Sequence, residues 1–290
     1  MGLRRFNTIV ELRAFLDARR REGATVALVP TMGALHAGHA SLIHRAVADG
    51  ANEIVTTIFV NPLQFGANED LAKYPRDLDG DAALALDAGA TVLFTPPVEE
   101  MYPFGPRNVL TSVSVGALTN VLDGLARPGH FDGVATVVAK LFAISGTCRA
   151  YFGEKDYQQL AVIRRMAADL SFPVDIVGCP TVREADGLAM SSRNRYLSTD
   201  ERARAAVIRR ALDAGVVAVD AGARGREVSA AMRAVLASEP VVQSVDYAAC
   251  VDAETLADVD EITTEVRLLI AARVGSARLI DNCSAGTRTN

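Results

Sequence analysis

An apolar run, Thr25-Val26-Ala27-Leu28-Val29, passes through Pro30-Thr31-Met32-Gly33-Ala34-Leu35-His36-Ala37-Gly38-His39 into Ala40-Ser41-Leu42-Ile43-His44-Arg45-Ala46-Val47. The first part has the pattern of a buried strand and the last that of a helix, so two imidazoles three residues apart fall at a strand-to-helix turn. In an α/β protein such a turn offers backbone N–H groups and the positive end of a helix dipole to anions. The segment predicts a nucleotide site whose phosphates are handled by His36 and His39. The alternative for such a pair is one helix-capping histidine and one surface histidine. No third ligand stands nearby to suggest zinc, and His44 reads as an ordinary helix residue.

The same alternation continues over the first 180 residues. Thr8 to Arg21 is expected to be a helix, with Ile9, Leu12 and Leu16 at helical spacing. Strands are expected at Val26–Val29, Glu53–Val60, Thr91–Thr95, Arg149–Phe152 and Pro173–Val177, and helices at His39–Asp49, Asp77–Ala88, Val134–Ile144 and Leu160–Leu170. Continuous apolar strands alternating with helices imply an α/β fold, a Rossmann-like parallel sheet with helices on both faces. Ligands bind such sheets beyond the carboxyl ends of the strands. After residue 180 the order changes. Alanine-rich amphipathic helices at Asp200–Ala221 and Arg226–Ser238 precede strand patterns at Ser244–Cys250, Val266–Ala272 and Ser276–Asn282. Two domains are therefore expected, residues 1–180 and a smaller α+β domain, residues 181–290. Gly286–Asn290 reads as a frayed tail.

Half of the 290 residues are hydrophobic, enough for a substantial core. The formal net charge of -5 argues against a general nucleic-acid binder. No apolar run has the length of a membrane span, and Met1-Gly2-Leu3-Arg4-Arg5-Phe6 lacks the apolar core of a secretory leader, so a cytoplasmic protein is expected. Cys148, Cys179, Cys250 and Cys283 form no CxxC and read as reduced thiols.

Five further segments carry groups suited to chemistry. Phe59-Val60-Asn61-Pro62-Leu63-Gln64-Phe65-Gly66 ends a strand with two amides, which suit the hydroxyl and carboxylate groups of a small acid; a polar turn is the other reading. The charged stretch Asn68 to Asp81 could be a lid, a helix start bearing acids near magnesium, or a surface loop. Arg127-Pro128-Gly129-His130-Phe131-Asp132-Gly133-Val134 allows either anion binding or a structural turn. In Phe152-Gly153-Glu154-Lys155-Asp156-Tyr157-Gln158-Gln159, Lys155 is a point charge suited to phosphate, and Gln159 follows it at helical spacing. Met190-Ser191-Ser192-Arg193-Asn194 supplies two hydroxyls and a guanidinium, a triphosphate clamp or a capped turn.

Taken in order, PTMGALHxGH, FVNPxQF, YPR, RPGHFxGV, FGEKDxQQ and DGLAMSSRN resemble the pantothenate synthetase (pantoate–β-alanine ligase) family along nearly the whole chain. That family lies within the HIGH-motif nucleotidyltransferases. The resemblance implies an ATP-dependent union of pantoate with β-alanine through pantoyl adenylate, releasing AMP and pyrophosphate, with magnesium and a homodimer. Carried over residue by residue, Met32, Gly33, Ala34, Leu35, His36, Ala37, Gly38 and His39 would bind ATP, with His39 as proton donor. Gln64 would hold pantoate and lie against β-alanine, with Asn61 beside it. Gly153, Glu154, Lys155 and Asp156 would contact the nucleotide and Gln159 pantoate. Val182 would meet adenine by backbone groups, and Met190, Ser191, Ser192 and Arg193 would close on the phosphates. His36, His39, Lys155, Ser191, Ser192 and Arg193 would carry the catalytic burden. Relatives often have adjacent acids after YPR, whereas here Gly80 separates Asp79 from Asp81, so the protein ligands of magnesium stay open. A nucleotidyltransferase acting on another small acid and a non-catalytic nucleotide-binding module are the competing readings.

Overall fold

The computed structural model describes residues 2–66 and 71–286, apart from the side chain of Lys73. The expected lid residues Asn68, Glu69 and Asp70, and 287–290 of the expected tail, lie outside the described residues. In chain order the elements are β1 (Arg4–Phe6), α1 (Ile9–Arg21), β2 (Val26–Thr31), α2 (Ala37–Ala48), β3 (Glu53–Ile58), α3 (Leu78–Asp87), β4 (Val92–Phe94), α4 (Val98–Met101), α5 (Leu122–Ala126), α6 (His130–Ser145), β5 (Cys148–Gly153), α7 (Tyr157–Asp169), β6 (Val174–Cys179), α8 (Thr199–Arg204), α9 (Val207–Asp220), α10 (Gly225–Ala237), β7 (Val242–Asp252), β8 (Val266–Val274) and β9 (Ala277–Ala285). None of the described helices is long and apolar enough to cross a membrane.

Two compact units emerge. The first comprises Met1–Asn120, Arg127–Gly153 and Val162–Pro180; the second comprises Val121–Ala126, Glu154–Ala161 and Thr181–Asn290. In the first, six strands form one sheet in the order β1-β4-β3-β2-β5-β6, parallel throughout. β2 and β3 are buried along almost their whole length, as strands covered on both faces must be. Leu28, Ile54, Leu93, Phe94 and Tyr151 from the strands and Leu12 and Leu16 from α1 are fully enclosed. The strand order reverses between β2 and β5. Such a reversal opens a crevice at the carboxyl ends of the flanking strands, and the carboxyl end of β2 leads straight into the histidine segment.

The second unit contains the antiparallel sheet β7-β8-β9. Alternate residues of β8 and β9, including Leu268, Ile270, Ala272 and Leu279, pack against Ile208, Leu212, Met232 and Leu236 of α9 and α10. The opposite face mixes buried apolar residues, Leu269 and Ala271 among them, with charged ones. There Arg278 pairs with Asp123 of the Val121–Ala126 segment, and Arg267 pairs with Glu154. The period of two along a strand thus gives one sheet two sets of partners.

The structure revises several boundaries. The helix expected over Asp200–Ala221 is two, α8 and α9, broken at Ala205 and Ala206. α6 begins at His130 rather than Val134, because Gly129, at φ +80°, turns the chain into it there. Strand β1 has no counterpart in the sequence reading.

Candidate active site

The histidine segment is a tightly closed turn. Gly33 has φ +86°, and a side chain there would bring Cβ within 2.9 Å of an Asp81 carboxylate oxygen. Ala34 follows, also left-handed, at φ +53°. Asp81 holds this pair of unusual residues: its Oδ2 accepts the Ala34 N–H at 2.9 Å and its Oδ1 the Leu35 N–H at 2.6 Å. Gly33 donates its N–H to Thr31 Oγ1, which itself donates to the Thr57 carbonyl of β3.

His36 is the N-cap of α2. Its Nδ1 accepts the Gly38 N–H at 3.1 Å, while His39 Nδ1 accepts the His36 N–H at 3.3 Å, a reciprocal capping box built from two imidazoles. The rings stand 4.2 Å apart. An accepting Nδ1 places the hydrogen of each neutral ring on Nε2. The helix start was expected to offer backbone N–H groups to phosphate. Here those of Ala34, Leu35, His36, Gly38, His39 and Ala40 are already engaged within the protein. Capping, one of the alternatives in the sequence, is thus made by the Nδ1 of each ring.

Gln64 ends the 3-10 turn Pro62–Gln64, which Asn61 caps. Asn61 is 1% exposed and its amide is fully engaged. Its Oδ1 accepts from Tyr102 Oη at 2.7 Å, and its Nδ2 donates to the Gly133 carbonyl and to Gln64 Oε1, each at 3.1 Å. Burial pushes the Tyr102 phenol far above its ordinary range, so it stays a neutral donor. Gln64 Nε2 donates to Met32 Sδ at 3.0 Å, joining this turn to the histidine segment. The RPGHF segment supports the same turn from below. His130 Nδ1 donates to the Gln64 carbonyl at 2.8 Å, and its Nε2 accepts from Arg127. The segment thus serves as a structural turn, one of the two roles it allows.

Asp79 and Asp81, the acids weighed for magnesium, have separate fates. Asp79 is exposed, 3.8 Å from Arg5, and Asp81 spends both oxygens on the histidine turn. No three His, Cys, Asp or Glu side chains gather as a metal-ligand group among the described residues. Among the described residues, therefore, the acids form no magnesium cage.

The remaining candidates belong to the second unit, except Gly153, which ends β5 in the first. Glu154–Asp156 form a 3-10 turn before α7; the half-buried Lys155 has Nζ 3.6 Å from Asp156. Gln159 is half-buried on α7, whereas its neighbour Gln158 is buried and bonded to Asp123 N and Val121 O. Val182 O accepts the Met190 N–H at 2.9 Å, and Arg183 and Ala189 form the bridge of a small hairpin. That hairpin delivers Met190 to Arg193. Ser191 caps the following 3-10 turn through the Arg193 N–H, and Arg193 itself is exposed.

Nothing in the sequence assigns Asp81, Tyr102, His130 and Arg127 a role as anchors of these turns. Asp81, Tyr102 and His130 each act on a candidate residue from 41 to 66 positions away, which no spacing rule reports, and Arg127 acts on His130. The cysteines enter none of this chemistry: Cys148 is buried, and burial pushes its thiol up to about 12.

The model of the family described as pantoate-beta-alanine ligase matches residues 4–284. A pantothenate synthetase of Acidobacterium capsulatum is 51% identical, covering 98% of this chain and 97% of its own. The crystal structure of a pantothenate synthetase from Thermus thermophilus superposes with a TM-score of 0.89 at 49% identity, covering 97% of this chain and 98% of its own. That of a pantoate-beta-alanine ligase from Francisella tularensis, complexed with beta-gamma ATP and β-alanine, gives 0.78 at 30% identity and covers 97% of each chain. Likeness of this extent, over a chain that folds the histidine turn and its amide neighbours as described, leaves one conclusion: the chain belongs to the pantoate-beta-alanine ligase family.

Proposed function

We propose that this protein condenses pantoate with β-alanine at the expense of ATP, in two steps. The family match from residue 4 to 284 carries the reading. The complex of the Francisella tularensis relative supports ATP and β-alanine as substrates. In the first step a pantoate carboxylate oxygen attacks the α-phosphorus, the bond to the bridging oxygen breaks, and pyrophosphate leaves. In the second the neutral amine of β-alanine attacks the acyl carbon of pantoyl adenylate; the bond to AMP breaks and the amine gives up a proton. The substrate brings its own nucleophile, so the protein contributes position and electrostatics.

In this reading Met32–His39, Gly153–Asp156, Val182 and Met190–Arg193 take ATP. His39 donates toward the departing pyrophosphate from Nε2, and His36, Lys155, Ser191, Ser192 and Arg193 spread the developing charge. Gln64 and Gln159 hold pantoate. Asn61, its amide engaged by protein groups, acts through Gln64. Magnesium enters with the ATP phosphates as part of the substrate, with phosphate and water as its oxygen ligands. Residues 1–180 serve as the ATP- and pantoate-binding domain and 181–290 as a lid that shields the adenylate from water. The protein works as a cytoplasmic homodimer.

The test is exchange of labelled pyrophosphate into ATP with magnesium and pantoate, without β-alanine. Pantoate-dependent exchange is expected, and Lys155→Ala should lower it at least about a hundredfold while the circular dichroism spectrum is retained. AMP appearing only with β-alanine would point to a concerted route. No AMP under either condition would overturn the ligase reading.

A further inference from the structure

Two neighbouring residues of β9 hold, from opposite faces of one sheet, two separate segments that the proposed function assigns to ATP. Asn282 is 3% exposed and lies on the face turned away from the α9 and α10 core. Its Nδ2 donates to the Glu154 carbonyl at 2.9 Å and to the Lys155 carbonyl at 2.8 Å, so one amide grips both peptide units of the turn that presents Lys155. Its Oδ1 accepts from Arg267 Nε at 2.8 Å. Arg267, 7% exposed, also donates to Glu154 Oε2 at 3.1 Å and lies over the Tyr157 ring, 4.0 Å from its centroid. The Lys155 turn is thereby pinned at its backbone, at its first side chain and at the helix that follows.

Asp281, 2% exposed, leaves the strand on the other side. It receives Arg183 through two bonds, Nη1 to Oδ2 at 2.7 Å and Nη2 to Oδ1 at 3.0 Å. The same guanidinium donates to the Gly187 carbonyl, closing the hairpin that delivers Met190 to Arg193. A planar fork on a carboxylate fixes direction as well as distance. Since adjacent Cα atoms are about 3.8 Å apart, the two grips share one rigid piece of backbone.

We propose that Asn282 and Asp281 are positioning residues for the adenylating step, Asn282 setting Lys155 and Asp281 setting Met190–Arg193. The proposal rests on the ligase reading above. Neither residue touches a substrate in this assignment; each acts through a segment that does. Positioning at this level enters the rate directly, because the charge on the transferring phosphoryl group is stabilised only by donors already in place.

Asn282→Asp is the sharpest test. It keeps size and shape, keeps the partner of Arg267, and turns a carboxylate oxygen toward two carbonyls. Pantoate-dependent pyrophosphate exchange should fall about thirtyfold, in keeping with two buried bonds lost to repulsion. Conversion of supplied pantoyl adenylate and β-alanine to product, which needs no pyrophosphate to leave, should stay within about threefold of wild type. In a Lys155→Ala background Asn282→Asp should add no further loss. Asp281→Asn should lower exchange about fivefold by the same split. Equal loss in both half-reactions, an additive loss on Lys155→Ala, or unchanged exchange would each overturn the proposal. If Asn282→Asp does not fold, Asn282→Ser, which keeps one donor, carries the same comparisons. Wild-type protein that forms no AMP with or without β-alanine would overturn the ligase reading instead. Calorimetric affinity for MgATP would then decide the positioning: weakened binding in Asn282→Asp upholds it and unchanged binding overturns it.

Discussion

The turn of the first unit that carries His36 and His39 and the turn of the second that carries Lys155 are held by opposite chemistry. At the first, the carboxylate of Asp81 accepts two backbone N–H groups; at the second, the amide of Asn282 donates to two backbone carbonyls. The difference follows from what each backbone exposes. The chain entering α2 leaves N–H groups facing outward before the helix begins, and an acceptor satisfies them. The 3-10 turn before α7 leaves carbonyls, which only a donor can satisfy. In both turns the anchor is nine-tenths buried or more and engages main chain. A side chain on an anchored main chain keeps its direction without forfeiting its own polar atoms to the anchor.

Reversing the first anchor is the counterpart of reversing the second, and an effect of the same order is expected there. Asp81→Asn keeps one acceptor but turns an NH2 group toward the other N–H, at a site where Gly33 and Ala34 already have positive φ. A charge-assisted bond contributes about 1.5–3 kcal/mol, so pantoate-dependent pyrophosphate exchange should fall about ten- to a hundredfold. Use of supplied pantoyl adenylate should change far less. A variant with wild-type exchange would show that Thr31 and the imidazole capping box hold the turn unaided, and the parallel between the two anchors would fail.

The parallel also explains what could be read from the amino-acid order. The strand–turn–helix around His36, the amides after β3 and the hydroxyl-rich turn after Ala189 are local patterns, and their elements lie within a few residues of expectation. Asp81 reaches its partners across 46 and 47 positions and Asn282 across 127 and 128, and no periodicity records a pairing of that span. β1 escaped because three residues, two of them arginine, carry no strand pattern; it pairs only with β4, at the sheet edge. The break between α8 and α9 escaped because Ala205 and Ala206 favour helix, so local propensity gives no hint of it. Gly80 raised a question about magnesium that its neighbours answered: Asp81 was visible as an acid and illegible as an anchor.

A smaller effect separates the pantoate side from the ATP side. α6 approaches the Pro62–Gln64 turn so closely that a Cβ on Gly133 would lie 2.3 Å from the Leu63 carbonyl oxygen and 2.6 Å from the Gln64 nitrogen. Both are main-chain atoms, so helix and turn must part. Gly133→Ala should therefore cost about 1–3 kcal/mol of stability by overpacking and raise KM for pantoate about tenfold, since 1.4 kcal/mol in binding is a factor of ten. The calorimetric affinity for MgATP should hold. Equal weakening of both ligands would show that Gln64 and the histidine turn move as one body through the Met32–Gln64 contact.

The smallest effect asks whether a carboxylate on backbone N–H groups matters for its chemistry or for the span it closes. Asp252, at the end of β7, accepts from Glu254 N at 3.1 Å and from Thr255 N and Oγ1, each at 2.8 Å. These bonds, Thr255 N first, hold its carboxyl below the ordinary carboxylate range. This is the chemistry of Asp81 with partners two and three residues away instead of 46 and 47. A depressed folded value means that the carboxylate adds stability above the unfolded value, about 3.9, and loses it as pH falls through the folded one. Asp252→Asn should lower unfolding free energy by about 0.5–1 kcal/mol at pH 7, leave pyrophosphate exchange untouched, and match wild type in urea titrations near pH 2.5. A difference as large at pH 2.5 as at pH 7 would assign the effect to geometry rather than charge. Lost exchange at pH 7 would show that a local turn anchor reaches the site after all, and span would no longer separate Asp252 from Asp81.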